Sequence, residues 1–225
     1  MRRIQGHILF PLAAVLGLTG CLGEVTKPST VALSPFWLNA SAPRAVRSDG
    51  VIIAGPAGFC IDPGATRSSD GVQFALLGSC ASLANSAEHG RPRQPAMLTA
   101  SVAPPGGLSV TQNSDALVRL LSGAQGQALL SNESGVGVTV ADVGVTDNVI
   151  VVHARDPGLT GSRGLPPDYW RGFFDLNGRV VTLSVFSPQG RSLSDRAGAT
   201  LLQQFVAAMR EANTESDAVV ARARR

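Results

Sequence analysis

Apolar residues along the chain follow two different periods, which separate predicted strands from predicted helices. Residues 50–55, 72–83 and 96–103 are β-branched, alternating or continuously apolar, and glycine or proline lies close by, so each is predicted to be a strand. A helical turn is the alternative for residues 72–83, where a strand is favoured. Valine occupies every second position over 136–140, and 149–152 form a continuous apolar run. Two further strands joined by a turn are therefore expected in this part of the chain.

Two other segments repeat their apolar residues at helical spacing. The segment after Ser114 places leucines on one face, and Ser114 can cap this middle helix, which Gly123 and Gly126 are expected to break or end. The last such segment begins at Ser194, ends at Asn213, and carries its apolar face on Ala197, Leu201, Leu202, Phe205, Ala208, Met209 and Ala212. The chain is therefore predicted to close with a long helix.

The strongest local signal is a hairpin in residues 169–188. Asn177-Gly178 separates two strand-like runs, and this dipeptide suits a type I′ turn because both residues tolerate positive φ. Strands, a middle helix, more antiparallel strands and a closing helix define an α+β fold. We expect an antiparallel sheet with the long C-terminal helix packed on it.

The N-terminus has the pattern of an export signal. Arg2 and Arg3 precede an apolar stretch over 8–20, which at 13 residues is shorter than the roughly 20 needed to span a bilayer. Leu18-Thr19-Gly20-Cys21 resembles the lipobox of bacterial lipoproteins. That resemblance implies diacylglycerol on the Cys21 sulfur, cleavage before Cys21, and acylation, for example with palmitate, of the new N-terminus. An ordinary secretory signal with a chance cysteine is the alternative.

The lipobox also implies a location. The protein would be anchored in a membrane through its lipid and face the periplasm. Leu22 and Gly23 follow Cys21 without an acidic residue, which favours the outer membrane over the inner membrane. Removing residues 1–20 also removes Arg2 and Arg3 and no acid, so the formal charge falls from +3 to +1. Since the only basic run is the closing ARARR, we expect no nucleic-acid partner.

Two cysteines remain once Cys21 is assigned to lipid. An even number of cysteines, Cys60 and Cys80, is then left in a protein expected in an oxidising compartment, which predicts a disulfide between them. A reactive or metal-binding pair is the alternative, although the spacing is unlike C-x-x-C and no histidine is adjacent.

The predicted domain organisation follows from these segments. Residues 1–20 form the signal peptide, 21–47 the lipidated N-terminus and tether, 48–213 the α+β domain and 214–225 a polar tail. The Ser-, Pro- and Ala-rich composition of residues 22–46 is typical of a linker, with a short strand expected near 31–33.

The order of elements also resembles the PsbP/Mog1/DcrB-like group. The residues that carry this resemblance are Pro56-Ala57-Gly58-Phe59, the hairpin at Asn177-Gly178, and the helix ending at Asn213. It covers about 48–213 and rests on element order. It implies an assembly or accessory role, because members of that group mostly bind partners.

Motifs that would identify a catalytic, metal or phosphate site are not found in the sequence. There is no G-x-S-x-G elbow, H-x-x-x-H, C-x-x-C, acidic calcium loop or P-loop lysine, so no metal and no cofactor are expected. Asp142 and Asp147 flank a predicted turn and are interpreted as solvated turn residues. A small periplasmic hydrolase using His153 or His89 stays open, as does a small-molecule carrier with a deep apolar pocket.

One irregular stretch is a candidate binding loop. Residues 155–172 are long, rich in glycine and proline, and contain Arg163, Tyr169, Trp170 and Arg171, residue types that often dominate protein contacts. The alternative is that the two aromatic residues start a strand and cover the core. The first hypothesis for function is a non-catalytic envelope lipoprotein whose domain binds a protein partner of the envelope.

Overall fold

A computed structural model describes residues 45–48, 50–131, 137–163 and 165–223, which form nine strands and five helices. The strands are β1 Ala45–Ser48, β2 Val51–Ala54, β3 Phe59–Ser69, β4 Val72–Ser79, β5 Met97–Val102, β6 Thr139–Thr146, β7 Val149–Arg155, β8 Asp168–Leu176 and β9 Arg179–Phe186. The helices are α1 Cys80–Leu83, α2 Ser114–Ser122, α3 Ala124–Leu130, α4 Pro157–Arg163 and α5 Asp195–Ala223.

Seven of these strands form one antiparallel sheet. Their order is β3-β4-β5-β9-β8-β7-β6, while β1 and β2 pair with each other in a separate two-stranded sheet. Strand β9 is the central strand of the seven, and it pairs with β5 on one side and with β8 on the other. The predicted α+β class with an antiparallel sheet is therefore confirmed in outline.

The predicted Asn-Gly hairpin is present between β8 and β9. Asn177 has φ +50° and Gly178 has φ +70°, so both turn residues are left-handed, as a type I′ turn requires. The turn aligns Leu176 with Arg179 and sets the register of the two central strands.

Successive residues of β8 point to opposite faces of the sheet, and each face has its own core. Trp170 and Phe174 pack in the cluster that contains the apolar residues of α5, whereas Tyr169 packs in the cluster that contains Leu121 of α2 and Leu130 of α3. Helix α5 therefore covers one face, as predicted, and α2 and α3 pack on the other face.

Helix α5 also closes the open edge of β2 through one side chain. Asn213 is 2% exposed; its Oδ1 accepts from the Ile52 N–H at 2.8 Å and its Nδ2 donates to the Ile52 carbonyl at 2.8 Å. The same Nδ2 donates to the Met209 carbonyl at 2.7 Å. The amide of Asn213 thus replaces the backbone of a neighbouring strand.

Asn213→Ala is expected to lower the free energy of unfolding by about 1–3 kcal/mol, because the partly buried N–H and carbonyl of Ile52 lose their partners. Urea denaturation monitored by circular dichroism measures this loss. Gln203→Ala, which removes an exposed amide from the same helix, is the matched control and should stay within about 0.5 kcal/mol of the native chain. Equal stability of the two variants would contradict the role given to Asn213.

The predicted end of this helix is wrong. Helix α5 continues past Asn213 to Ala223, so residues 214–223 are helical. Asparagine often ends helices by bonding to nearby backbone, but here its side chain bonds to a strand. The residues that follow, TESDAVVARA, include several good helix formers.

Gly123 breaks the middle helix, as expected: it is extended, with φ −93° and ψ 172°, and separates α2 from α3. Gly126 does not end a helix but lies inside α3, where a Cβ would collide with the backbone of Leu120 and Leu121. The segment 72–83, favoured as a single strand, is β4 followed by α1.

The predicted irregular loop at 155–172 is largely regular. It contains the end of β7, helix α4 and the first part of β8. Asp156 begins α4 because its Oδ1 accepts from the Gly158 N–H at 2.9 Å, and Pro157 occupies the first helical position, which proline favours. Leu159, which is 1% exposed, anchors the helix in the core that also contains Tyr169 and Leu130.

Candidate functional site

The predicted pairing of Cys60 with Cys80 is confirmed. The two sulfur atoms lie 2.04 Å apart, and the bond joins the start of β3 to the start of α1. Both residues are buried. The bond holds α1 against the edge of the sheet.

Helix α1 in turn holds two loops. The Cys80 N–H donates to the Gly58 carbonyl at 2.9 Å, and the Ala81 N–H donates to the Gly90 carbonyl at 3.2 Å. Gly58 belongs to the turn between β2 and β3, and Gly90 to the connection between α1 and β5. Both loops are thus positioned directly beside the disulfide.

The two loops form walls of a groove with a volume of about 1130 Å³. One wall is formed by residues 55–59, the second by 90–94, and the third by Ser194 and one side of α5 between Arg196 and Glu211. We call this the α5 groove. Its volume slightly exceeds the range of about 300–1,000 Å³ that small-molecule pockets occupy.

Three arginines line the α5 groove. Arg91 and Arg93 lie on the 90–94 loop, Arg196 lies on α5, and all three side chains are exposed. Across the described residues, no ion pair or hydrogen bond engages any of these three side chains. The acidic residue in the lining is Glu211, so the groove is basic.

The two loop walls touch each other at Gly58. Its φ is +85°, and a Cβ at this position would lie 2.5 Å from the Pro92 nitrogen and 2.6 Å from the Arg91 carbonyl carbon. Only glycine combines this backbone conformation with so close an approach. The loop that carries Arg91 and Arg93 is therefore packed directly against the turn beside it.

Sequence reasoning did not find this groove. Its arginines come from segments about a hundred positions apart, and the sequence R-P-R-Q-P matches none of the motifs considered above. The signal that was present is the pair of arginines alternating with prolines, which restrict the backbone of the loop. That signal gives no information about the position of α5, which lies opposite the loop.

The residues predicted to contact a partner lie elsewhere. Tyr169 is 0% exposed and lies in the core on the α2 and α3 side of the sheet. Trp170 is 1% exposed and lies in the core on the α5 side. They belong to the core, the alternative that the sequence left open, which corrects the contact hypothesis for these two residues. Arg163 is the last residue of α4.

Arg171 is partly buried on the face of the sheet that also carries Tyr169. Its Nε donates to Ser184 Oγ at 3.0 Å, and its guanidinium lies 4.9 Å from the centre of the Tyr169 ring. Burial lowers the pKa of Arg171, which Tyr169 and Asp156 counteract. Burial likewise raises the pKa of Tyr169, whose hydroxyl donates to the Leu130 carbonyl at 2.9 Å. These contacts hold β8 to its neighbours.

His153, one of the two histidines of the hydrolase hypothesis, stacks on a buried aromatic residue. His153 lies on Trp170, with ring centres 4.8 Å apart, and its Nε2 is 3.8 Å from Asp168 and 4.0 Å from Asp195. These separations exceed hydrogen-bond distance. The Nε2 atom is buried and has no hydrogen-bond partner in the described part of the chain. The geometry that the hydrolase hypothesis requires is therefore not met at His153.

His89 lies in the connection between α1 and β5. The side chain is half-buried, and the backbone N–H donates to the Ser86 carbonyl at 3.4 Å. Among the residues that the structure describes, no group of three or more His, Cys, Asp and Glu side chains is arranged to hold a metal ion.

The carrier hypothesis requires a deep apolar pocket between sheet and helix. A cavity does lie between β7 and α5, lined in part by Val149, Val151, Leu202 and Val206, but its volume is about 110 Å³. Small-molecule pockets are roughly three to ten times larger. This cavity does not meet the requirement.

Cys21 and the predicted signal and tether lie outside the described residues, apart from the end of the tether, where β1 begins at Ala45. Over residues 45–48, 50–131, 137–163 and 165–223, no helix has the length and apolar character needed to cross a membrane.

Comparison with known proteins gives one similarity. No protein-family model and no curated protein matches the chain. Among solved structures, the chain is similar to the extracellular domain of PknH from Mycobacterium tuberculosis, with 14% sequence identity and a TM-score of 0.33. The similarity covers 62% of this chain and 64% of that structure. A similarity of this extent carries no argument about function.

Proposed function

We propose that this protein is an exported, lipid-anchored protein of the cell envelope whose α+β domain binds a protein partner and catalyses no reaction. The observation that carries the proposal is the α5 groove, a large basic surface whose loop walls are held beside a disulfide. A disulfide also agrees with export, because such bonds persist in oxidising compartments.

The sequence supports the anchor and the accessory role. Leu18-Thr19-Gly20-Cys21 stands where an apolar export signal ends, which supports lipid attachment at Cys21 and a periplasm-facing position. Pro56-Ala57-Gly58-Phe59, which resembles the PsbP/Mog1/DcrB-like group, forms a wall of the groove; here the Phe59 N–H donates to the Pro56 carbonyl at 3.0 Å. A binding function at this turn agrees with the role that the resemblance implies.

The anchor predicts a defined chemical change at Cys21. Expressed in a bacterium that processes lipoproteins, the chain is expected to incorporate a labelled fatty acid, lose residues 1–20 and begin at an acylated Cys21, as intact mass spectrometry would show. Cys21→Ser should abolish labelling. Recovery of an unmodified precursor, or of a mature chain that begins at another residue, would overturn the anchor.

Partner binding is tested separately from the anchor. A photo-crosslinking amino acid placed at Gln204, an exposed residue of the groove, is expected to give a covalent adduct of defined mass in intact cells. The same amino acid at Arg119, exposed on α2, is the control. No adduct at Gln204, or the same adduct at Arg119, would contradict binding at the groove.

A further inference from the structure

We propose that the α5 groove recognises an acidic peptide segment of the partner protein. This inference rests on the proposed partner-binding function and adds the chemistry of what is bound. The segment would lie along α5, with its carboxylates against Arg91, Arg93 and Arg196.

Charge is the first argument. Arg91, Arg93 and Arg196 are exposed, line one groove, and have no ion pair or hydrogen bond to other described residues. Guanidinium groups bind carboxylates with two parallel hydrogen bonds, and such charge-assisted bonds are stronger than neutral ones. An acidic ligand therefore supplies the partners that these side chains lack.

Shape is the second argument, and it favours a peptide over a membrane surface. The residues of α5 that line the groove recur every three or four positions from Ala197 to Glu211, so the groove follows one side of the helix. From Arg196 to Glu211 the helix rises about 22 Å at 1.5 Å per residue. That length accommodates about seven extended residues. A flat layer of lipid head groups does not match a concave groove of this length.

Rigidity is the third argument. The walls are fixed by the Cys60–Cys80 disulfide, by the hydrogen bonds of Cys80 and Ala81, and by the packing of Gly58 on Pro92. A surface that is already ordered loses less conformational entropy when a ligand binds. The arginines of the loop are thus presented from a preformed frame.

The experiment uses fluorescence anisotropy with a fluorescein-labelled heptaglutamate peptide. The full-length chain with Cys21→Ser and an intact disulfide is titrated into the probe at 50 mM salt. We expect saturable binding that weakens as salt is raised, because screening shortens the range of the charges. Arg91→Gln, Arg93→Gln and Arg196→Gln combined in one variant are expected to weaken binding at least tenfold.

A matched variant separates the groove from net charge. Arg119→Gln, Arg155→Gln and Arg191→Gln remove the same charge from exposed positions outside the groove, and binding should stay within twofold of the native chain. Equal losses in the two triple variants, or no loss in the groove variant, would overturn the inference. Heptaglutamine is expected not to bind, and binding as tight as that of heptaglutamate would also overturn it.

A lipid arm distinguishes the other anionic surface. Vesicles of phosphatidylglycerol and phosphatidylcholine are expected not to compete with heptaglutamate. Competition that depends on the three groove arginines would overturn the inference and indicate that the groove binds an anionic membrane surface. Failure of the peptide inference leaves the crosslink at Gln204 and the acylation of Cys21 intact. Loss of those two results would instead contradict the proposed function.

Discussion

Trp170→Ala is expected to lower the free energy of unfolding by about 3–5 kcal/mol, the usual cost of removing a fully buried large aromatic side chain. The indole is 1% exposed, lies in the core between sheet and α5, and stacks on His153. Guanidinium denaturation monitored by circular dichroism measures the loss. A small loss of stability together with loss of the crosslinked partner would instead support the contact role first considered for this residue.

Gly198 provides an internal check on this packing. A Cβ at this position of α5 would collide with the Trp170 ring, so Gly198→Ala is expected to destabilise by about 1–3 kcal/mol through overpacking, although alanine favours helix. In the Trp170→Ala background the same change should be neutral or stabilising, because the methyl group enters the cavity. Gly144→Ala is the control, since nothing lies within 4 Å of a Cβ there. Additive effects in the double variant would contradict direct packing.

Removing the disulfide is expected to have the second largest effect. Cys60→Ser with Cys80→Ser should lower the free energy of unfolding by about 3 kcal/mol, the chain-entropy value for a loop of this length. Their separation is 20 residues. Cys21→Ser is the matched control and should leave the unfolding of the domain unchanged. Equal unfolding midpoints for the double variant and the control would contradict a structural role for the bond.

The same variant tests how the groove is held. In the double variant, hydrogen exchange of the backbone amides at position 80 and at Ala81 is expected to accelerate, since these N–H groups bond to the carbonyls of Gly58 and Gly90. Exchange in β8 and β9 should change only as far as global stability changes. Unaltered protection at position 80 and Ala81 would mean that α1 holds the loops without the disulfide.

Local signals predicted the parts of this fold whose cause is local. The Asn177-Gly178 turn was predictable because few residue pairs tolerate positive φ at two successive positions. The apolar stripe of α5 predicted a helix that packs on the sheet, and Leu201, Leu202 and Phe205 are buried as expected.

Other elements depend on contacts with distant segments. Asn213 was interpreted as a helix end, whereas its side chain bonds to the backbone of Ile52, 161 positions away, as well as to the Met209 carbonyl of its own helix. Tyr169 and Trp170 are residue types that often form protein contacts. They are buried because Tyr169 packs against α3 and Trp170 packs against α5. The α5 groove was not predicted because its walls come from three separate segments.

The sequence by itself determined the pairing of Cys60 with Cys80, the antiparallel α+β class and the central hairpin, because each follows from residues close together in the chain or from their count. The export signal at the N-terminus and the assignment of Cys21 to lipid stay predictions. The tertiary structure alone decided which arginines line one groove, which aromatic residues are buried and what Asn213 binds. The physical reason is that burial and charge pairing depend on which distant segments the sheet and α5 bring into contact, and periodicity within a segment carries no information about its neighbours.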